Sequence, residues 1–394
     1  MKYRVDPRSG NELSVLGFGC MRFPRRLTST DKEKSEELIL AAIERGVNYL
    51  DTAYVYGDSE VVLGEILRKN KVRSKIYLAT KLPHQKCKVP EDFERLFQEQ
   101  LARLKTDYID YYLIHNLPAV APWQRLCDLG IVEWLAEKKA SGQLRQVGFS
   151  FHGAQAGFMA LLDAYDWDFC QIQYNYMDEN YQAGRAGLLK AHAKGLPVII
   201  MEPLLGGKLA TGLPREALRR FREVNASRTP ASWAMRWLWS QPEVTVVLSG
   251  MNADKQLEDN CATADEAAPG MLSEREAAVF EPVIEAFRAA YKVPCTGCNY
   301  CMPCPSGVNI PGCFAAYNTR FAVGYVTGMQ NYFTSTGVNH PGQDGSGRSC
   351  TDCGACEKKC PQHIEIRGKL REVTQRMEPF WFRGLLWAVR KVMG

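Results

Sequence analysis

Residues 47–57 read VNYLDTAYVYG. A short run of β-branched and aromatic residues starts near Val47 and Asp51 ends it. Tyr56 follows after one brief loop. The same unit recurs on both sides. We read eight such runs, VLGFGCMRF, VNYLDTAY, KIYLATK, IDYYLIH, RQVGFSF, FCQIQYN, PVIIMEP and VTVVLSG, starting near Val15, Val47, Lys75, Ile109, Arg145, Phe169, Pro197 and Val244. Amphipathic stretches such as SEELILAAIERG and FERLFQEQLARLK lie between them. Strict alternation of this kind predicts an α/β fold in which parallel strands joined by helices close into a TIM (β/α)8 barrel. An open doubly wound sheet would call for a G-x-G-x-x-G turn after its first strand, and none is present.

Barrels of this kind carry their chemistry where the strands end. Asp51 ends the second strand, Lys81 the third and His115 the fourth, with Tyr56 one loop beyond Asp51. Alone, Lys81 reads as a surface lysine and His115 as a core histidine. Four such residues on one rim in consecutive units point to a site.

The 394 residues carry 49 Lys+Arg against 44 Asp+Glu, a net charge of +5 that is too mild to argue for nucleic acid. No window of about twenty apolar residues would span a membrane. We expect a barrel over 1–290, a small, mainly helical ferredoxin-like domain over 291–371 and an amphipathic tail over 372–394. The tail EPFWFRGLLWAVRKVMG sets Phe380, Trp381, Phe382, Leu385, Leu386, Trp387 and Val389 beside Arg383, Arg390 and Lys391. It suits packing on the barrel or on a second subunit better than a membrane-surface anchor. Trp233, Trp237 and Trp239 are read as core packing of a barrel helix.

Two cysteine runs define the C-terminal part: Cys295, Cys298, Cys301 and Cys304 before Pro305, then Cys350, Cys353, Cys356 and Cys360 before Pro361. The second run is the C-x2-C-x2-C-x3-C-P pattern that sends three ligands to one cubane cluster and the fourth to its neighbour. Disulfides would need an oxidising compartment, yet MKYRVDPRSG lacks the apolar core of a signal peptide, so a reducing cytoplasm is expected. Zinc accepts four thiolates but does not ask for two such runs, each closed by proline. Two 4Fe-4S clusters are therefore expected, one on Cys295, Cys298, Cys301 and Cys360, the other on Cys350, Cys353, Cys356 and Cys304. Cys313 falls outside the spacing and reads as a buried or spare thiol. The segment resembles bacterial-type dicluster ferredoxin domains.

Residues 1 to about 290 resemble the aldo-keto reductases. The likeness rests on G-F-G-C-M-R, L-D-T-A-Y-x-Y-G, A-T-K, Y-L-I-H, V-G-F-S, Q-x-Q-Y-N, E-P-L-x-G-G and S-G-M-N-x-x-x-Q-L-E-D-N. It implies NAD(P)H-dependent reduction of an aldehyde, ketone or quinone-like carbonyl, and a barrel closed at its base by the hairpin MKYRVDPRSGNELSV. It makes Tyr56 the proton donor, with Lys81 favouring the phenolate of a group whose free pKa is near 10. Asp51 would neutralise Lys81, and His115 would orient the carbonyl oxygen. For the cofactor it points to Gly19, Cys20, Met21, Met201 and Pro203, to Ser150 and Gln171 at the carboxamide, and to the loop Leu204, Leu205, Gly206 and Gly207 with the end of the eighth strand at the diphosphate. Gly250, Lys255, Gln256 and Asn260 fall on the adenosine side. Phe151 stands where the family has asparagine, Met201 where an aromatic stacks on nicotinamide, and Gly250 and Gln256 where basic residues meet a 2'-phosphate. NADP and NAD both stay open, and the pocket leaves room for a flavin.

A nicotinamide delivers two electrons and a cubane moves one, so an electron-carrying or redox-sensing subunit is the competing reading. Its barrel would bind nucleotide or flavin without reducing a carbonyl. A ferredoxin-type electron partner and a homodimer are further expected associations.

Overall fold

The computed structural model describes residues 1–26, 29–338 and 344–380. By contact the chain forms two compact units. Met1–Pro203 with Ala231–Ser273 makes the first; Leu204–Pro230 with the described residues from Glu274 onward makes the second. Segments 204–230 and 274–290, read from sequence with the barrel, thus pack in the second unit.

In the first unit, β1 (Tyr3–Val5) and β2 (Glu12–Ser14) form an antiparallel hairpin. Eight parallel strands then close a barrel: β3 (Leu16–Gly19), β4 (Tyr49–Asp51), β5 (Tyr77–Leu82), β6 (Ile109–Leu117), β7 (Leu144–Phe151), β8 (Phe169–Gln173), β9 (Val198–Met201) and β10 (Val244–Ser249). They are the eight expected runs, in sequence order around the ring, with β10 pairing β3 to close it. The interior is filled by Tyr49, Ala79, Tyr111, Leu113, Phe169, Ile199, Val246 and Leu248. It is a packed core in which inward side chains from successive strands interleave.

Leu13 of the hairpin joins that core at its base and is fully buried. Arg4 holds the hairpin there by donating to the carbonyl oxygens of Trp239, Gln241 and Val244. Trp233 and Trp239 on the helix Pro230–Trp239 are buried, and Trp239 Nε1 donates to Val15 O at 3.0 Å. The helices Lys32–Glu44 and Glu91–Leu104 cover the amphipathic stretches that the sequence singles out; Asp31 caps the first by accepting from Lys34 N at 3.1 Å.

The second unit is mainly helical. Its cysteine-bearing part is built on Ile310–Ala322, Tyr325–Phe333 and Ile366–Met377, which pack around Val308, Phe314, Tyr317, Tyr332, Ile366, Leu370 and Val373. Asn309 caps the first of these helices by accepting from Gly312 N at 3.1 Å. Cys313 is fully buried in this core, outside both cysteine runs. Among the described residues no helix is long and apolar enough to cross a membrane. Phe380 is exposed. The rest of the tail, 381–394, lies outside the described residues, and with it the side chains that suggested an amphipathic helix.

Candidate functional site

Three successive strands and one loop bring the tetrad together. Asp51 ends β4, Lys81 is the penultimate residue of β5, and His115 lies near the end of β6. Lys81 Nζ donates to both carboxylate oxygens of Asp51, at 2.6 and 2.7 Å, and to Thr52 O at 2.7 Å. Both side chains are buried. Burial pushes Asp51 up and Lys81 down, and each charge opposes the shift of the other. Two short charge-assisted bonds plus a backbone acceptor satisfy an ammonium that could not otherwise stay charged there. Replacing Asp51 by Asn is therefore expected to destabilise the barrel by about 3–5 kcal/mol, the usual result of stripping the partner from a buried charge. Urea unfolding followed by tryptophan fluorescence measures it; a loss below 1 kcal/mol would show that the pair does not hold the rim.

Tyr56 is half-buried, with its ring centroid 5.0 Å from Lys81 Nζ. The His115 ring meets it edge-on, with centroids 5.9 Å apart and planes at 86°. Burial holds His115 well below its ordinary pKa, and Lys81, His152 and His84 push the same way. His115 is thus a neutral imidazole at physiological pH, able to donate one hydrogen bond without bringing a second charge beside Lys81.

His84 is a rim residue that sequence reading missed. It opens the short 3-10 turn after β5, is buried, and places Nε2 3.3 Å from Asn116 O. Among the described residues its Nδ1 has no hydrogen-bond partner. Burial pulls its pKa down to about 4. An unfolded chain would take up a proton near pH 6.5 that the native His84 refuses until about 4, so stability present above 6.5 is lost as pH falls across that window. The expected loss is about 1.4 kcal/mol per pH unit for such a group, with His115 adding in the same direction. Denaturation midpoints at pH 6.5 and 5 test this: His84→Asn should flatten the dependence, and an unchanged slope would remove His84 from the account.

The nicotinamide-side candidates lie on β7 to β9. Ser150 Oγ accepts from Asn116 N at 2.8 Å, and Asn116 itself sits at φ 56° directly after His115. Among the described residues Gln171 donates only to the soft sulfur of Met201, at 3.6 Å, and its buried Oε1 has no partner. An unmet amide acceptor beside a serine hydroxyl suits a ligand carboxamide, which would donate to Gln171. Phe151 is buried against Phe158, ring centroids 5.1 Å apart, so the position where the family carries asparagine is spent on packing.

At the ends of β3 and β10, a Cβ at Gly250 would lie 3.4 Å from Arg22 Cβ and 3.7 Å from Arg22 Cδ. The side chain missing at Gly250 leaves space over which the stem of Arg22 runs. That places a guanidinium near a position where the family would carry its own cation, and the G-F-G-C-M-R motif held the clue. Cys20, in the same motif, is buried, and burial followed by Asp51 pushes its thiol up. Met21 is exposed, as are Lys255 and Gln256, the last accepting from Asn252 N at 2.9 Å. Asn260 is buried and donates to Ser249 Oγ at 3.0 Å. Pro203 ends the first stretch of the first unit, and Leu204 to Gly207 open the first stretch of the second.

The cysteines gather in two groups. Cys304, Cys350, Cys353 and Cys356 line one recess, together with Ile310, Arg367 and Leu370. Cys301 is surrounded by Cys295, Cys298 and Cys360; burial pushes its thiol up to about 12 and the three neighbouring thiols add to the shift. Each group therefore takes three cysteines from one run and the last from the other. Among the described residues no three Cys, His, Asp or Glu side chains converge as they would on a single ion. Four thiols ringing a recess suit a larger body.

The two cysteine loops turn left-handed at the same positions. The third and fifth positions of each are left-handed, Gly297 and Asn299 at φ 70° and 65°, Asp352 and Gly354 at 57° and 72°. Gly, Asn and Asp are the residues that tolerate this geometry, and alternation of this kind turns backbone N–H groups inward toward an anionic cluster. The donor set and its cradle fit cubane clusters on these eight thiols.

Comparison with known proteins agrees with this architecture. Residues 15–269 match the model of the aldo/keto reductase family. The chain belongs to that family. Residues 294–365 match a 4Fe-4S dicluster domain. Among relatives, this aldo/keto reductase is similar to 6-dehydroglucose reductase of Novosphingobium aromaticivorans, with 29% identity over 63% of this chain and 85% of the relative. It is also similar to the Schizosaccharomyces pombe aldo-keto reductase yakc [NADP(+)], with 22% identity over 64% and 84%. Among solved structures, the holo form of aldo-keto reductase AKR11C1 from Bacillus halodurans superposes with a TM-score of 0.59 at 25% identity, covering 72% of this chain and 96% of that one. The protein is an aldo/keto reductase family oxidoreductase carrying a 4Fe-4S dicluster domain.

Proposed function

We propose that this oxidoreductase reduces a small-molecule carbonyl with NAD(P)H at the rim formed by Asp51, Tyr56, Lys81 and His115, and that its cysteine groups hold two 4Fe-4S clusters. The observation that carries the reading is the buried Lys81–Asp51 pair set under the Tyr56 ring, with neutral His115 at its edge. When bound, the nicotinamide supplies a hydride to the carbonyl carbon. Tyr56 gives its phenolic proton to the oxygen as negative charge develops there. His115 donates a hydrogen bond to the same oxygen and fixes which face of the carbonyl is presented. Lys81 favours the phenolate left on Tyr56, and Asp51 keeps Lys81 charged and in place. The product is the alcohol, and Tyr56 regains its proton from solvent.

Ser150 and Gln171 would hold the carboxamide, and the unpartnered Gln171 Oε1 supports that role. The loop Leu204 to Gly207 would take the diphosphate. The name of the yeast relative favours NADP, and Arg22 beside Gly250 offers a cation for its 2'-phosphate. For the clusters, Cys295, Cys298, Cys301 and Cys360 would ligate one, and Cys304, Cys350, Cys353 and Cys356 the other; they supply one-electron steps when bound.

The test is anaerobic holoprotein given NADPH or NADH and a panel of aldehydes, ketones and quinones. Nucleotide oxidation that depends on at least one carbonyl is expected. If no carbonyl stimulates it while nucleotide still binds, the barrel serves an electron-carrying subunit and the reductase reading is wrong.

A further inference from the structure

The segment that leaves β9 is joined to the first cysteine run by direct backbone contact. Leu205, Gly206 and Gly207 all lie in the left-handed region, at φ 48°, 67° and 94°. A Cβ at Gly206 would stand 2.1 Å from Thr296 O, 3.0 Å from its carbonyl carbon and 3.3 Å from its Cα. Only glycine lets the two segments touch here. Thr296 is flanked by Cys295 and lies two residues before Cys298.

Neither side of this contact is loosely held. Tyr291 OH donates to Gly212 O at 2.7 Å, Lys208 Nζ lies 5.4 Å from the Tyr291 ring centroid, and that ring stacks on Phe287 at 4.1 Å. The buried Asn318 accepts from Lys292 N and Val293 N, both at 3.0 Å, and donates to Val293 O at 2.7 Å. The stretch 291–293 is thus pinned just before Cys295, and Gly206 touches the Cys295 to Cys298 turn directly at Thr296.

We propose that the Gly206–Thr296 contact couples nucleotide occupancy to the redox state of the cluster held by Cys295, Cys298, Cys301 and Cys360, with Gly206 and Thr296 as positioning residues. This rests on reading Leu204 to Gly207 as the diphosphate loop and these four thiols as one ligand set. The sign follows from charge: the diphosphate is anionic and reduction adds an electron to the cluster next to its loop. Bound nucleotide therefore lowers that cluster's potential. By linkage, the reduced cluster weakens nucleotide binding by the same factor.

The experiment uses anaerobic holoprotein and 2'-phospho-ADP-ribose, which carries the diphosphate but cannot accept hydride. Calorimetric titration of oxidised and dithionite-reduced protein should show affinity about fivefold weaker after reduction. Potentiometric electron paramagnetic resonance should show the first-run cluster moving down by about 40 mV, the same factor at 59 mV per tenfold for one electron. The second-run cluster should not move; Cys298→Ser and Cys353→Ser assign the two signals. Tyr291→Phe, which cuts the Gly212 tether and lies outside the diphosphate loop, should reduce the shift while iron content and probe binding stay full. Equal affinity in both redox states, or equal shifts of both clusters, overturns the coupling. No binding of the probe in either state overturns the diphosphate reading itself, and the coupling with it.

Discussion

Tyr56→Phe lowers kcat for carbonyl reduction by about 10²–10⁴ and leaves nucleotide affinity nearly unchanged, because the substitution removes one proton donor and no other atom. The ring keeps its place over Lys81 Nζ and its edge contact with His115, since both depend on the aromatic body. Lys81→Met should cost as much activity by another route, taking away the charge that favours the phenolate and leaving Asp51 buried without its partner. The two are separable. The phenylalanine variant should unfold where its parent does, whereas the methionine variant should also lose stability. Single-turnover kinetics with NADPH and the best carbonyl of the panel, beside nucleotide binding, measure this. A Tyr56→Phe protein as active as its parent would take the acid role away from Tyr56 while leaving the family assignment intact.

Cys304→Ser and Cys360→Ser exchange the expected consequences of their runs. Cys304 closes the first run but lines the recess with Cys350, Cys353 and Cys356, so its loss should empty or weaken the second cluster. Cys360 closes the second run but faces Cys301, so its loss should strike the first. Each variant should hold about four iron and four sulfide where the parent holds about eight. Resonance spectra should show opposite clusters surviving. If each serine erases the cluster of its own run instead, the ligands are not crossed and the grouping of the thiols is wrong. Full retention in both variants would mean that neither residue ligates.

Much of this was open to reading in the residues. The strand runs declare themselves because a barrel strand is buried on both faces and so carries an unbroken apolar run, as Tyr111–Ile114 does within the strand Ile109–Leu117. The tetrad is legible because each member sits at a strand end or one loop beyond. The pairing of cysteines follows from spacing. What stayed hidden depends on distance through space. His84 looks like an ordinary turn residue in KLPHQK until the fold sets it against Asn116. Arg22 gains its interest only from the side chain that Gly250 lacks, more than two hundred residues away. The grouping of 204–230 with the C-terminal part has no local signature, because Phe221 against Phe280, at 5.7 Å between ring centroids, is a long-range choice.

The cysteine loops carry one more implication. Their backbones repeat the same left-handed positions, yet the first fills them with Gly297 and Asn299 and the second with Asp352 and Gly354. The two loops thus hold the same left-handed positions with different residues. Asp352 now binds Arg371 at 2.7 Å, and the loop containing Thr296 abuts Gly206. The loops should accept each other's residues as far as wrapping a cluster goes. They are no longer interchangeable parts, because each has become committed to a different neighbour.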